Sequence, residues 1–200
     1  MSARLLRQRG LAAVELALLL PFLMMLLFGM IDLARALQAN TILVNLSREG
    51  ANLAARGNTP LETDSQDIMY ALMASAPPLN VNERGMMYIT RVMGVGTGTG
   101  AKNVVLDQYR WQDGARQLGL GYNNNNYNPG SKIYKCSAWL NEACTSSAAR
   151  PTVLIMNGQL ADGEVIYIVE SFYRFNMLVA GGGFLALPTL GPDLYSMTVF

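Results

Sequence analysis

The hydrophobic and polar positions divide the chain into an apolar N-terminal run, an amphipathic stretch and a longer, strand-rich remainder. Residues 11–31 form the apolar run, and Glu15 is its single charged residue. As a helix this run would be about 30 Å long, which matches the hydrocarbon core of a bilayer. Arg4, Arg7 and Arg9 precede it without any acidic residue. The pattern therefore predicts a transmembrane helix whose N-terminus stays in the cytoplasm and whose C-terminal remainder is exported.

The helical pattern continues beyond the apolar run. Small and apolar residues recur at spacings of three and four, which is typical of one face of an amphipathic helix. They are Ala36, Ala39, Leu43, Leu46, Gly50 and Leu53. We therefore predict one helix over residues 11–56, with a kink at Pro21 and a stop at Gly57. A cleaved signal peptide is the alternative, but the run is longer than a signal core and continues as helix.

The remainder reads as a helix followed by strands. Thr59, Pro60 and Glu62 have capping-box spacing, which predicts the start of a second helix. β-Branched and aromatic residues then predict strands, over 87–95, 103–111, 163–175 and, more briefly, 151–156 and 195–200. The predicted fold class is α+β. A long N-terminal helix, transmembrane over 11–31 and amphipathic over 32–57, packs on a small antiparallel sheet within an exported domain, 58–200.

Composition argues against most catalytic functions. The chain has no histidine, which excludes a serine–histidine triad and most catalytic zinc sites. The net charge of +1 gives no basic field for nucleic acid. Four carboxylates in or near strand-like segments form no recognisable acid–base pair, and we expect them to be solvated: Asp107, Asp113, Glu164 and Glu170. The sequence thus predicts neither an enzyme nor a resident cofactor or metal.

The two cysteines, Cys136 and Cys144, lie in the predicted exported region. An oxidising compartment would allow them to pair across a short loop. Two reduced thiols are the alternative, and free thiols in the exported protein would contradict the pairing.

The junction between the basic stub and the apolar run carries a specific motif. Arg9-Gly10 is followed by Leu11 and by Ala13-Val14-Glu15; further pieces are Leu20-Pro21, Asp32-Leu33-Ala34-Arg35 and Ser47-Arg48-Glu49-Gly50-Ala51. These pieces resemble the N-terminal region of TadE-like proteins, which are minor pseudopilins of the Tad (tight-adherence, Flp-type) pilus. The sequence departs from the family where Leu16 replaces a frequent phenylalanine and Asn52 a frequent arginine.

The resemblance implies a processing site and an assembly residue. A membrane prepilin peptidase would remove residues 1–10 after Gly10, so that Leu11 becomes the mature terminus. Glu15 would then pair with the new amine of a neighbouring subunit. The implied partners are other pilins, the prepilin peptidase and the inner-membrane assembly platform. The implied location is the inner membrane, with a periplasmic domain, and later the pilus.

Three other interpretations remain open from the sequence. The chain could be a pseudopilin of a related secretion system, or an adhesin at the pilus tip. It could also be a single-pass membrane enzyme, against which the absence of histidine argues. For Glu15, the alternative to a partner is a carboxylate that snorkels toward the headgroups.

Overall fold

A computed structural model of the chain describes residues 3–56, 61–111, 127, 129–177 and 193–200. The first element, α1, runs from Ala3 to Arg56 as one helix with Pro21 inside it. Its residues up to Gln38 belong to one unit of the structure, and a second unit contains α1 from Ala39 together with the other helices and the sheet. The predicted stop at Gly57 lies outside the described residues.

The second part of α1 packs on the sheet because one of its faces carries small residues. Seven residues on this face are buried, namely Ala39, Leu43, Leu46, Ser47, Gly50, Ala51 and Ala54. A Cβ at Gly50 would lie 2.9 Å from Leu72 Cδ1 and 3.2 Å from Val169 Cγ1. Glycine therefore permits the close approach of α1 to both neighbours.

The prediction for this face was correct from Ala39 to Gly50, with Ala36 half-buried, and wrong at Leu53, whose side chain is 37% exposed. Ala54 is buried in its place. The predicted stripe advanced by fewer than 3.6 residues per turn on average, so it drifts off the real face within a few turns. Ser47 also belongs to the buried face, because its hydroxyl finds partners in Leu43 O at 3.0 Å and Ser171 Oγ at 3.1 Å.

Two shorter helices follow. Helix α2 spans Leu61–Ala74, and α3 spans Val81–Arg84. Met69, Leu72 and Met73 of α2 are buried. Of the predicted capping box, Thr59 and Pro60 lie outside the described residues.

Within the described residues the strands form one antiparallel sheet. The longer strands are β1 (Gly85–Val95), β2 (Lys102–Arg110), β6 (Val165–Arg174) and β7 (Asp193–Val199). The short ones are β3 (Trp139–Leu140), β4 (Ala143–Cys144) and β5 (Thr152–Val153). The order is β3-β4-β2-β1-β6-β7, with β5 also paired to β2. This confirms the predicted α+β class and the segments assigned to the longer strands.

The sheet has two differently covered faces. Ile89, Val169 and Ser171 lie on the face that carries α1, since Ser171 bonds to Ser47 and Ile89 pairs with Val169. The opposite face carries an apolar cluster built on Val92, Val105, Val153, Leu160, Ile166 and Ile168. Irregular segments between β4 and β6 contribute Ile155 and Met156 to its cover. The sequence did not predict β3 and β4, because two-residue strands leave no alternation to detect.

Candidate functional site

The predicted cleavage site lies within α1. The backbone is helical at Gly10 and Leu11, and the described side chains begin at Ala12. Glu15 lies four residues beyond Leu11, which is about 6 Å along a helix. Its side chain is exposed, and no described side chain bonds to its carboxylate. The residues assigned to processing and assembly are therefore within about one helical turn of one another.

The helix around Glu15 exposes an apolar surface. Every residue from Ala12 to Ile31 is exposed, including Leu18 at 75% and Met30 at 71%. By length and composition α1 is the one described helix that could cross a membrane, and its most apolar window is not buried against the rest of the chain. A helix of this kind differs from the core helix of a soluble domain, because its apolar surface needs a bilayer or another chain to cover it.

The apolar run ends at an ion pair. Arg35 Nη1 lies 3.2 Å from Asp32 Oδ1, one helical turn away. The Asp32 side chain is only 7% exposed, whereas that of Arg35 is 44% exposed. The negative charge at the end of the run is thus compensated by the next turn of the same helix.

Cys136 and Cys144 form a disulfide with a Cα–Cα distance of 5.9 Å. The loop that it closes contains the β3–β4 hairpin. Trp139 of this hairpin packs against Tyr88, at 6.0 Å between ring centroids, and below the Arg110 guanidinium at 4.7 Å. Arg110 also forms an ion pair with the buried Glu142. The hairpin is therefore attached to the sheet by an aromatic contact and a charge pair, and the disulfide closes the loop that contains it.

The expectation that Glu170 is solvated was wrong. Its side chain is fully buried at the centre of β6 and accepts three hydrogen bonds. Tyr195 Oη and Lys132 N donate to Oε1 at 3.0 and 2.9 Å, and the Ser131 hydroxyl donates to Oε2. A carboxylate can be buried when donors replace its water. The sequence of β6 could have indicated that Glu170 is buried, because alternate residues of a strand share a face and Glu170 lies on the same face as the apolar Ile166 and Ile168.

The phenols beside Glu170 are held in their protonated form. Burial raises the pKa of Tyr88 to about 12; Arg110 opposes this shift and Glu170 adds to it. Burial, followed by the Glu170 charge and hydrogen bond, also raises the pKa of Tyr195 well above its usual value. Tyr195 is thus a hydrogen-bond donor to the carboxylate at any physiological pH.

Of the remaining candidate carboxylates, Asp107 and Glu164 have partners within the fold. Asp107 pairs with Arg91 across β1 and β2, and both side chains are about one third exposed. Glu164 is exposed and accepts a bond from the Ala161 amide at 2.7 Å. Asp113 lies outside the described residues. Among the residues that the structure describes, no group of three or more potential ligands could hold a metal ion.

Fold and terminus together define a class of protein: one candidate membrane-spanning helix at the N-terminus that continues onto an antiparallel sheet domain. Residues 10–52 match the family model of TadE-like proteins. The resemblance predicted from the N-terminal motif is thereby confirmed for this segment, which begins at Gly10 and includes Glu15 and Asp32. The match relates this segment to a pilus-associated family. No curated protein and no solved structure matches the chain.

Proposed function

We propose that the chain is a minor pilin of a Tad-type pilus, which a prepilin peptidase cleaves after Gly10 and which helps to initiate or cap pilus assembly. In this proposal residues 1–10 are the leader, and Leu11 is the first mature residue. The N-terminus lies in the cytoplasm and the sheet domain in the periplasm. The role is structural, and catalysis belongs to the peptidase and the assembly machinery.

The observation that carries the proposal is the family match over residues 10–52. It begins at the glycine before the proposed cut and extends over the whole exposed apolar part of α1. Glycine suits this position because it lets a protease approach the backbone without obstruction by a side chain. The exposed apolar surface from Ala12 to Ile31 suits both stages of the proposal, first in a bilayer and then among neighbouring helices.

In this proposal Glu15 makes assembly selective for processed subunits. On insertion scales a carboxylate at the centre of a bilayer costs roughly 2.5–3.5 kcal/mol, and Glu15 lies nearer the cytoplasmic edge, where the cost is smaller. Cleavage creates an ammonium group on Leu11. A neighbouring subunit displaced by about 6 Å along the helix axis would bring that ammonium to Glu15. The charge is then compensated only when a processed neighbour is present, which sets the register of the two helices.

The test is the N-terminal sequence of the membrane-bound mature protein, from cells with and without the prepilin peptidase. We expect Leu11 as the first residue in the former and an uncut chain in the latter. Gly10→Leu should block cleavage even with the peptidase present. Gly29→Leu is the matched control, because a Cβ at Gly29 meets nothing within 4 Å, and it should be cleaved normally. A mature terminus elsewhere, or one that persists without the peptidase, would refute the proposal.

A further inference from the structure

The segment that leads to Cys136 is held on the sheet by a buried polar network. Ser131 lies at its centre, because its hydroxyl donates to Glu170 and accepts from the backbone amides of Ile133 and Tyr134, both at 3.2 Å. The side-chain amide of Gln108 donates to Ser131 Oγ and to Tyr134 O, both at 3.0 Å. Glu170, Gln108 and Ser131 are all buried. The path of residues 131–134 is therefore fixed from β2 and β6.

Cys144 is positioned by a separate attachment. It lies in β4, whose Ala143 pairs with Tyr109 of β2. Arg110 N donates to Glu142 O at 3.0 Å, and the two side chains form an ion pair. The cysteines thus approach each other from two attachments to the same sheet. Tyr134 connects the two sides, since its hydroxyl donates to Ser146 at 3.1 Å, two residues after Cys144.

We propose that Glu170 is a positioning residue for the Cys136–Cys144 disulfide, so that the bond forms readily only after the sheet is complete. The carboxylate of Glu170 docks Ser131 and Lys132, and this docking places Cys136 beside Cys144. The same carboxylate accepts the hydroxyl of Tyr195 in the C-terminal strand β7. Docking of β7 and closure of the disulfide are therefore coupled through one buried group. The inference concerns the sheet domain alone and does not depend on the pilus assignment.

The coupling follows from the chemistry of thiol–disulfide exchange. Two cysteine thiols and one glutathione disulfide give the protein disulfide and two reduced glutathiones, so atoms and electrons balance. The equilibrium constant rises with the effective concentration of one thiol at the other. Any hydrogen bond that fixes Cys136 near Cys144 therefore raises the equilibrium constant for disulfide formation. By linkage, closure of the disulfide must strengthen that bond by the same factor.

The experiment measures this equilibrium constant for the full chain in detergent micelles, in glutathione buffers of varied ratio, with thiols alkylated and counted by mass spectrometry. Glu170→Gln keeps the side-chain volume but places an N–H where Ser131 needs an acceptor. We expect the constant to fall about tenfold, the effect of a lost bond to a charged group. Tyr195→Phe removes only the β7 bond and should lower the constant roughly threefold.

The matched control is Ser171→Ala. Ser171 is the next residue of β6, is equally buried, and has its hydroxyl bond on the opposite face, to Ser47 of α1. This variant loses one buried hydrogen bond without touching the segment before Cys136. Its equilibrium constant should stay within about twofold of that of the unmodified protein. If the equilibrium constant falls equally in Glu170→Gln and Ser171→Ala, the effect reflects a general loss of stability and the proposal is overturned. An unchanged equilibrium constant in Glu170→Gln would also overturn it.

Hydrogen exchange tests the reciprocal direction without any change at Glu170. In a Cys136→Ser/Cys144→Ser variant, the amides of residues 131–135 should exchange faster, and those of β7 should follow to a smaller extent. Residues 39–56 of α1, on the other face of the sheet, should keep their protection. Unchanged exchange at both 131–135 and β7 would show that the disulfide and the Glu170 network are not linked, and would also overturn the proposal.

Discussion

Two glutamates, in two regions of the molecule, place a carboxylate in apolar surroundings in opposite ways. Glu170 lies inside the sheet domain, fully buried, with three donors from the same chain. Glu15 lies on the exposed apolar part of α1, where no described side chain bonds to it. The first charge is satisfied by folding alone. The second has no partner among the residues that the structure describes, and our proposal assigns it one in a neighbouring subunit.

The difference extends to the surfaces around the two groups. Both faces of the sheet are covered, one by α1 and the other by irregular segments. The apolar run of α1, by contrast, is exposed from Ala12 to Ile31. A region with internal partners should respond to mutation through its folding free energy. A region that needs a bilayer and a neighbour should respond through assembly.

The largest effect is expected from Glu15→Ala. The variant should be inserted and cleaved normally, because the glycine before the cut is unchanged. It should be lost from purified pili, because the Leu11 ammonium of a neighbour no longer finds its partner. Immunoblots of sheared pili and of membranes measure the two steps separately. The free energy of unfolding of the sheet domain should not change. Normal amounts in pili would show that Glu15 only snorkels to the headgroups.

Glu170→Ala should have the reverse outcome. Ser131 and Tyr195 would lose their acceptor while remaining buried and half-buried, and the Lys132 amide would lose its acceptor as well. The free energy of unfolding should therefore fall by about 3 kcal/mol. Denaturant titration of the full chain in micelles, followed by near-ultraviolet circular dichroism, measures it. Glu164→Ala is the control: that carboxylate is exposed and should contribute less than about 1 kcal/mol. Equal losses for the two variants would contradict the role given to the Glu170 network.

These two carboxylates also show how far the sequence alone could be interpreted. Glu15 was singled out as an assembly residue because a charge in an apolar run has few explanations and because the motif around it resembles a known family; its role stays a prediction. The long helix and the longer strands follow equally from local patterns, and the structure confirms them.

The Glu170 network could not be predicted in the same way. Its donors come from residues 131, 132 and 195, which are distant from residue 170 in sequence and meet it only through the sheet topology. Periodicity indicates which face of a strand a residue occupies, but not which loop covers that face. For the same reason, the contact of Trp139 with Arg110, which attaches the β3–β4 hairpin to the sheet, could not be predicted from the sequence.

A smaller effect should distinguish two glycines of α1. Gly50 is in tight contact with Leu72 and Val169, whereas a Cβ at Gly29 meets nothing within 4 Å. Gly50→Val should lower the free energy of unfolding of the sheet domain by about 2 kcal/mol, because the added methyl groups overpack the contact with the sheet. Gly29→Val should change it by less than about 0.5 kcal/mol. If both variants unfold alike, α1 does not pack on the sheet at Gly50.

The smallest effect concerns alkaline pH, and Tyr88 is the group to test. Its pKa is about 12 in the folded protein, against 10.0 for an ordinary tyrosine. Between these two values the unfolded chain has released the proton and the folded chain still holds it, so stability should fall as pH rises from about 10 to about 12. Tyr88→Phe also loses the bond to Pro129 O, at 2.6 Å, and so begins less stable. Its thermal midpoint should nevertheless fall less steeply over this range.

Tyr70, which is 56% exposed on α2, provides the control: Tyr70→Phe should keep the slope of the unmodified protein. An unchanged slope in Tyr88→Phe would mean that the buried phenol does not govern the alkaline limb, and that the polar network on this face is more open to solvent than its burial indicates.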